Sequence, residues 1–118
     1  MESNEAIDAF SALAQPTRLD VYRRLVRAGP EGLPAGGVAK ALDVPANTMS
    51  THLAILERAG LVASRREGRL VYYTAAFDRV RALIGFILED CCAGNPHVCS
   101  PVAELARQAC CPPASGAG

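Results

Sequence analysis

The stretch that decides the fold runs from Asp43 to Thr74 and reads DVPANTMSTHLAILERAGLVASRREGRLVYYT. Residues 47–59 have helical periodicity, with Met49, Leu53 and Leu56 on one face. That face is expected to be buried. Asn47 is of the residue type that caps a helix at its start, and Gly60 is of the type that ends one. Asp43-Val44-Pro45-Ala46 reads as a tight connection from a shorter helix, Leu33 to Leu42. In that helix Val38, Ala39 and Leu42 face inward, and Gly36 and Gly37 blur its start. Two helices joined by a turn of about four residues form a helix-turn-helix. After Gly60 the period changes. Leu61 to Arg66 is extended, Glu67-Gly68-Arg69 is a turn, and Leu70 to Thr74 is rich in strand formers. A hairpin directly after a helix-turn-helix is a wing. The predicted fold class is therefore mainly α with a small β-hairpin, a winged helix-turn-helix.

Two helices precede this unit and one follows it. Residues 4–14 carry Ile7, Phe10, Leu13 and Ala14 at helical spacing, and Gln15-Pro16 interrupts them. Leu19, Val21, Tyr22, Leu25 and Val26 mark a second helix that ends at Gly29-Pro30. From Phe77 the helical period returns with Val80, Leu83, Ile84, Ile87 and Leu88. This last helix is more apolar than one face of a small domain requires. It reads as a dimerisation helix packed with the first one, which predicts a homodimer. Beyond Pro96 the chain is rich in Ala, Pro and Gly, with room for a short helix at 101–109. The expected organisation is a DNA-binding and dimerisation domain over 1–95 and a cysteine-containing tail over 96–118.

With 118 residues, half of them hydrophobic, one compact domain is the prior. No apolar run reaches the roughly 18 residues of a membrane span. MESNEAIDAF lacks the basic-then-apolar pattern of a secretory signal, so a cytoplasmic location is expected. Thiols stay reduced there, and five cysteines is an odd number for a disulfide framework. Net charge is zero, yet arginines cluster: Arg18, Arg23, Arg24 and Arg27 in one segment, and Arg65, Arg66 and Arg69 in another. A local basic strip serves nucleic acid on a neutral protein, and a dimer presents it twice.

In a helix-turn-helix the second helix enters the major groove, and residues near its start reach base edges. Here these are Asn47, Thr48, Ser50, Thr51 and His52. Asn can read adenine with two hydrogen bonds, and Ser and Thr can contact bases or phosphates. Taken alone, these residues could equally form a solvated polar face. The wing shifts the balance, because Arg65, Arg66 and Arg69 flank its turn, where guanidinium groups can reach phosphates or the minor groove. Double-stranded DNA is the expected partner. Arg18, Arg23, Arg24 and Arg27 suit a solvated face and internal ion pairs better than DNA contacts.

The cysteines carry the second function. Cys91-Cys92 sits where the last helix should end, and Cys99 follows the helix-breaking Gly94-Asn95-Pro96. On an unbroken helix Cys99 would lie about 12 Å along the axis from Cys91. The break allows it to return. Three converging thiolates suit a soft, three-coordinate thiophilic ion. Tetrahedral zinc would want a fourth ligand, which His97 could supply, although an exposed loop histidine is the simpler account of that residue. The helix C-terminus, Glu89 and Asp90 should raise thiol pKa, a poor setting for a catalytic nucleophile. Cys110-Cys111 fits a second site, an alternative ligand, part of a dimer site, or a bystander role.

Leu13-Ala14-Gln15-Pro16-Thr17-Arg18-Leu19, Ser50-Thr51-His52-Leu53, Leu56-Glu57-Arg58-Ala59-Gly60-Leu61-Val62, and Arg66-Glu67-Gly68-Arg69 followed by Tyr72-Tyr73 together resemble the ArsR/SmtB family of winged-helix metalloregulators, over residues 5–92. The resemblance implies a homodimeric repressor, not an enzyme, that leaves its operator when an ion binds. Some members of that family sense metal through cysteines on the helix before the recognition helix, and others through Asp and His on the last helix. Here Leu33 to Leu42 has no cysteine, and Phe77 to Asp90 has Asp78 but no histidine. Cys91, Cys92 and Cys99 look like the site of arsenic-responsive members. The implied inducer is As(III) or Sb(III), with no cofactor required. If only Cys91 and Cys92 matter, methylarsenite fits better. A thiol redox or persulfide switch on the same fold is the next alternative. A thiol enzyme or metallochaperone fits less well, since there is no Cys-x-x-Cys and no phosphate-cradling glycine loop.

Overall fold

A computed structural model describes residues 1–91 together with Glu104 and Leu105. In chain order the elements are α1 (Ser3–Leu13), α2 (Pro16–Ala28), a 3-10 turn (Gly29–Glu31), β1 (Leu33–Pro34), α3 (Ala35–Ala41), α4 (Ala46–Arg58), β2 (Val62–Glu67), β3 (Leu70–Ala75) and α5 (Phe77–Cys91). Met1–Leu83 form one compact unit, and the chain from Ile84 belongs to another. Cys91 is the last residue of α5. Cys92, Cys99, Cys110, Cys111, His97 and the expected domain boundary after residue 95 lie outside the described residues. So does most of the expected helix at 101–109. No helix among the described residues is long and apolar enough to cross a membrane.

Two matching helix ends give the helix-turn-helix its geometry. At the end of α3, Val44 N–H donates to Ala39 O at 2.9 Å and Asp43 N–H to Lys40 O at 3.2 Å. At the end of α4, Leu61 N–H donates to Leu56 O and Gly60 N–H to Glu57 O, both at 3.0 Å. Both are Schellman motifs, which satisfy the last carbonyls of a helix by passing one residue through the left-handed region. Gly60 does so at φ 80°, where a side chain would be strained. Asp43 does so at φ 55°, the one non-glycine residue with positive φ among those described. The first motif turns the chain into α4, and the second launches β2.

The sheet has three strands rather than the two of a simple hairpin. β2 and β3 pair antiparallel from Val62↔Ala75 to Glu67↔Leu70, leaving Gly68-Arg69 as the turn. β1 adds to the other side of β3, Leu33↔Tyr73 and Pro34↔Tyr72. For this reason α3 starts at Ala35 and not at Leu33. A residue before proline is pushed toward extended backbone, and Pro34 itself stands at φ −69°, ψ 147°.

α4 likewise begins earlier than expected. Pro45, not Asn47, is the capping residue, and its carbonyl accepts from Met49 N–H at 2.9 Å. Proline suits that place, since the first N–H groups of a helix have no internal partner.

The core gathers Val21 and Leu25 of α2, Val38 of α3, Met49, Leu53 and Leu56 of α4, and Leu61 at the start of the wing, each at most 1 % exposed. The stripe expected on α4 is thus the buried one. On α1 the core face is Ala6, Ala9 and Ala12, whereas Ile7 and Phe10 are 61 % and 46 % exposed. Small residues let α1 approach its neighbours closely, and its bulky apolar residues point outward. Phe77 and Ile84 of α5 are also exposed.

Candidate nucleic-acid interface

Because Pro45 caps α4, Asn47 sits inside the first turn and its side chain lies on the surface. Its Oδ1 accepts from Thr48 N–H at 3.0 Å, and Thr51 Oγ1 donates to Asn47 O at 3.3 Å. Asn47, Thr48, Ser50 and Thr51 are all exposed. At 100° per residue Met49, Leu53 and Leu56 occupy the opposite side, so the buried stripe itself presents Asn47, Ser50 and Thr51 to solvent. Arg58, one helical face on from Asn47 and Thr51, was absent from the residues singled out in the sequence. The i, i+4, i+11 spacing of Asn47, Thr51 and Arg58 is the signal that finds it.

His52 is half-buried and turned toward α2, with Nδ1 3.5 Å from Arg18 Nη1. An Arg N–H only donates, so this geometry is a hydrogen bond for the tautomer with its proton on Nε2. Arg18 also donates from Nε to Ala12 O at 2.6 Å and from Nη2 to Ser11 O at 3.5 Å. Its own N–H donates to Gln15 Oε1 at 2.8 Å, which caps α2. One side chain thus satisfies the open carbonyls at the end of α1 and touches the second helix of the helix-turn-helix.

The three wing arginines are not equivalent. Arg65 donates from Nε to Glu67 and from Nη2 to Glu31 O at 2.7 Å, and its guanidinium lies 4.9 Å from the centre of the Tyr72 ring. It ties β2 to β3 and to the 3-10 turn. Arg66 and Arg69 are exposed and make no ion pair or hydrogen bond among the described residues. The wing is fastened to α4 by Ser64, whose Oγ donates to Glu57 Oε2 at 2.6 Å. Partial burial, and then the Glu57 charge, push the Tyr73 hydroxyl above its ordinary pKa. The structure therefore brings together, around one helix and one hairpin, an exposed polar helix start and two unpaired wing guanidinium groups.

A helix-turn-helix domain family matches residues 13–65. An HTH-type transcriptional regulator of Methanocaldococcus jannaschii is 36% identical over 90 residues, 75% of this chain and 99% of that one. The ArsR-like transcriptional regulator from Rhodococcus superimposes with a TM-score of 0.66 at 26% identity, over 87% of this chain and 93% of its own. The chain belongs to the ArsR/SmtB family of winged-helix transcriptional regulators. A third neighbour is the homodimeric winged helix-turn-helix domain of a possible ArsR-family regulator from Mycobacterium bovis. It matches with a TM-score of 0.61 at 27% identity, over 80% of this chain and 82% of that one. As an ArsR/SmtB-type regulator the protein binds DNA and controls transcription.

Among the described residues no cluster of three His, Cys, Asp or Glu side chains could hold a metal ion. The cysteines singled out in the sequence lie outside those residues, apart from the backbone of Cys91.

Proposed function

We propose that the protein is a homodimeric, cytoplasmic repressor that leaves its operator when As(III) or Sb(III) binds Cys91, Cys92 and Cys99. The observation that carries this reading is the place of the thiols. α5 ends at Cys91, Cys92 is the next residue in the sequence, and Cys99 follows Gly94-Asn95-Pro96, residue types that break a helix. Three thiolates in reach of one another form the donor set of a soft, trigonal ion, not of a hard one. α3 contains no cysteine, and α5 contains no histidine. The dimer is supported by exposed Ile7 and Phe10 on α1 and exposed Phe77 on α5, apolar surface that a lone protomer leaves in water. The homodimeric Mycobacterium bovis neighbour supports it as well.

DNA contact is assigned to Asn47, Thr48, Ser50 and Thr51 at the start of α4, with His52 beside them, and to Arg66 and Arg69 on the wing. Arg65 serves chiefly to hold the wing. The inducer needs a coupling of only about 1–3 kcal/mol to weaken operator binding by up to ~150-fold.

The test is operator-DNA anisotropy against added arsenite for the wild type and for Cys→Ser at 91, 92 and 99. Release in the wild type that is lost in all three variants establishes the three-thiolate sensor. The adjacency of Cys91 and Cys92 favours a second reading, a two-thiolate site for methylarsenite. In that case Cys99→Ser keeps its response to methylarsenite while the other two variants lose it. Release by oxidant or polysulfide alone, with a matching mass change, would instead make the thiols a redox switch.

A further inference from the structure

A cleft of about 260 Å³ opens between α1 and α4. Asp8, Ser11 and Ala12 of α1 line one side, Ile55 and Arg58 of α4 the other, and Arg18 of α2 the end. Ala12 and Ile55 make part of the wall apolar, while two arginines and one aspartate are among the lining residues, so the cleft carries a net positive formal charge. Arg18 is fixed in place by its bonds to Ala12 O, Ser11 O and His52 Nδ1. These use three of its five N–H groups and leave two. Arg58 is exposed and, among the described residues, has no ion pair or hydrogen bond. Two arginines lining one cleft, both with spare N–H groups, suit phosphate or carboxylate oxygens.

The cleft continues the surface assigned to DNA. Thr51, Ile55 and Arg58 follow at i, i+4 and i+7, so they share a flank of α4. Arg58 stands about 10 Å along the axis from Thr51. The major groove is only about 12 Å wide. A helix whose first turns meet base edges therefore delivers its last turn to the sugar–phosphate strand that borders the groove.

We propose that this cleft is an oxyanion site, in which Arg58, backed by the anchored Arg18, binds a phosphate group. In the DNA complex that group is a backbone phosphate beside the groove entered by α4. The DNA source rests on the assignment of α4 as the reading helix, but the oxyanion chemistry does not. Asp8 limits the affinity by repulsion, so the cleft takes a single phosphate group.

Arg58→Gln is the decisive variant, because its side chain is exposed and, among the described residues, unpaired, and an unchanged Tm verifies the fold. Binding to a mixed-sequence duplex is measured by anisotropy across a series of NaCl concentrations. Each phosphate neutralised contributes about 0.9 to the slope of log K against log salt. Arg58→Gln is expected to lower that slope by about 0.9 and to weaken binding on every sequence alike, while Asp8→Asn tightens it. In a second arm, inorganic phosphate is added to DNA-free protein at constant ionic strength, and the amide signals of Arg58 and Ala59 are followed. Saturable shifts that Arg58→Gln abolishes, with an unchanged DNA slope, would assign the site to a free oxyanion. An unchanged slope together with no saturable shift overturns the proposal. If the wild type binds no duplex at all, the DNA assignment of α4 fails and the phosphate arm decides the oxyanion site alone.

Discussion

Glu5 of α1 and Arg79 of α5 are joined by an ion pair, Arg79 Nη1 lying 3.0 Å from Glu5 Oε2. The same guanidinium group covers Gly60, where a methyl group would stand 2.6 Å from Arg79 Nε. One cation therefore links the first helix, the start of the last helix and the junction between α4 and the wing. The Glu5 carboxylate also accepts from Glu2 N–H at 2.9 Å. That backbone bond first, and Arg79 second, hold its pKa below the ordinary value of 4.5. A carboxyl group whose pKa is depressed on folding stabilises the protein above its unfolded pKa, and the effect is lost as pH falls through the folded value. Urea unfolding of the wild type is thus expected to show a loss of stability below about pH 4.5. Glu5→Gln should remove part of that loss and, at neutral pH, leave a protein slightly weaker than the wild type. Identical acid profiles for the two would refute the linkage. The side chains are half-exposed, so the effect should shrink in high salt.

Gly32 holds the second close approach of the fold. It stands at φ 73°, and a methyl group there would come 2.4 Å from the Tyr73 carbonyl oxygen and 2.7 Å from Thr74 Cγ2. The first neighbour is backbone of the central strand and cannot swing aside. Gly32→Ala combines left-handed strain of about 1–2 kcal/mol with overpacking of about 1–3 kcal/mol. A total loss of roughly 2–5 kcal/mol is expected in chemical denaturation. A loss under about 1 kcal/mol would mean that β1 can detach from β3 at little cost.

Asp43 invites the opposite change. It occupies the left-handed position of the Schellman motif between α3 and α4. Asp tolerates that region better than most residues, yet less well than glycine. Asp43→Gly is expected to raise stability by about 0.5–1 kcal/mol, net of the added freedom of the unfolded chain. DNA affinity should not change, because the turn keeps its shape. A fall in stability would show that the Asp43 side chain holds the turn through an interaction stronger than the strain it bears.

Much of this architecture is legible along the chain, and the exceptions share a cause. The stripe Met49, Leu53 and Leu56, the breaks at Pro16 and Gly60 and the turn at Gly68-Arg69 are local signals, and each element follows its own. The Leu33-Pro34 strand is visible only in its partners Tyr72 and Tyr73, about forty positions downstream. The core face of α1 is made of alanines, so the larger Ile7 and Phe10 draw attention to the side that faces water. The same holds at the candidate interface. Exposed residues at the start of α4 follow from periodicity. That Arg65 is tied to the Glu31 carbonyl, or that Arg18 reaches His52, depends on contacts across 34 positions. The thiols are the reverse case, chemically explicit in the sequence and outside the described structure.

The division among the wing arginines yields a measurable contrast. Among the described residues Arg66 and Arg69 are exposed and unpaired, whereas Arg65 is engaged with Glu67, Glu31 and Tyr72. Arg66→Gln or Arg69→Gln should weaken binding about equally on all DNA sequences. Each should lower the salt slope by about 0.9, with stability within about 0.5 kcal/mol of the wild type. Arg65→Gln should instead lower the Tm while leaving the slope near that of the wild type. A reversed pattern would place Arg65 on the phosphates and release it from the wing.

Tyr22 sets the alkaline limit. It is 8 % exposed in the core, and among the described residues its hydroxyl has no hydrogen-bond partner. Burial pushes its pKa above the ordinary 10.0. A group whose pKa is raised on folding contributes stability that is complete below its unfolded pKa. That contribution is lost as pH rises through the folded value, since the unfolded chain ionises first. Wild-type stability should therefore fall from about pH 10 upward, and Tyr22→Phe should flatten that fall. At pH 7 the same variant removes an unpaired buried hydroxyl, whose desolvation costs about 1–3 kcal/mol. It is expected to match or exceed the wild type in stability. A Tyr22→Phe protein weaker than the wild type by 1 kcal/mol or more would show that the hydroxyl has a partner in solution, such as a bound water.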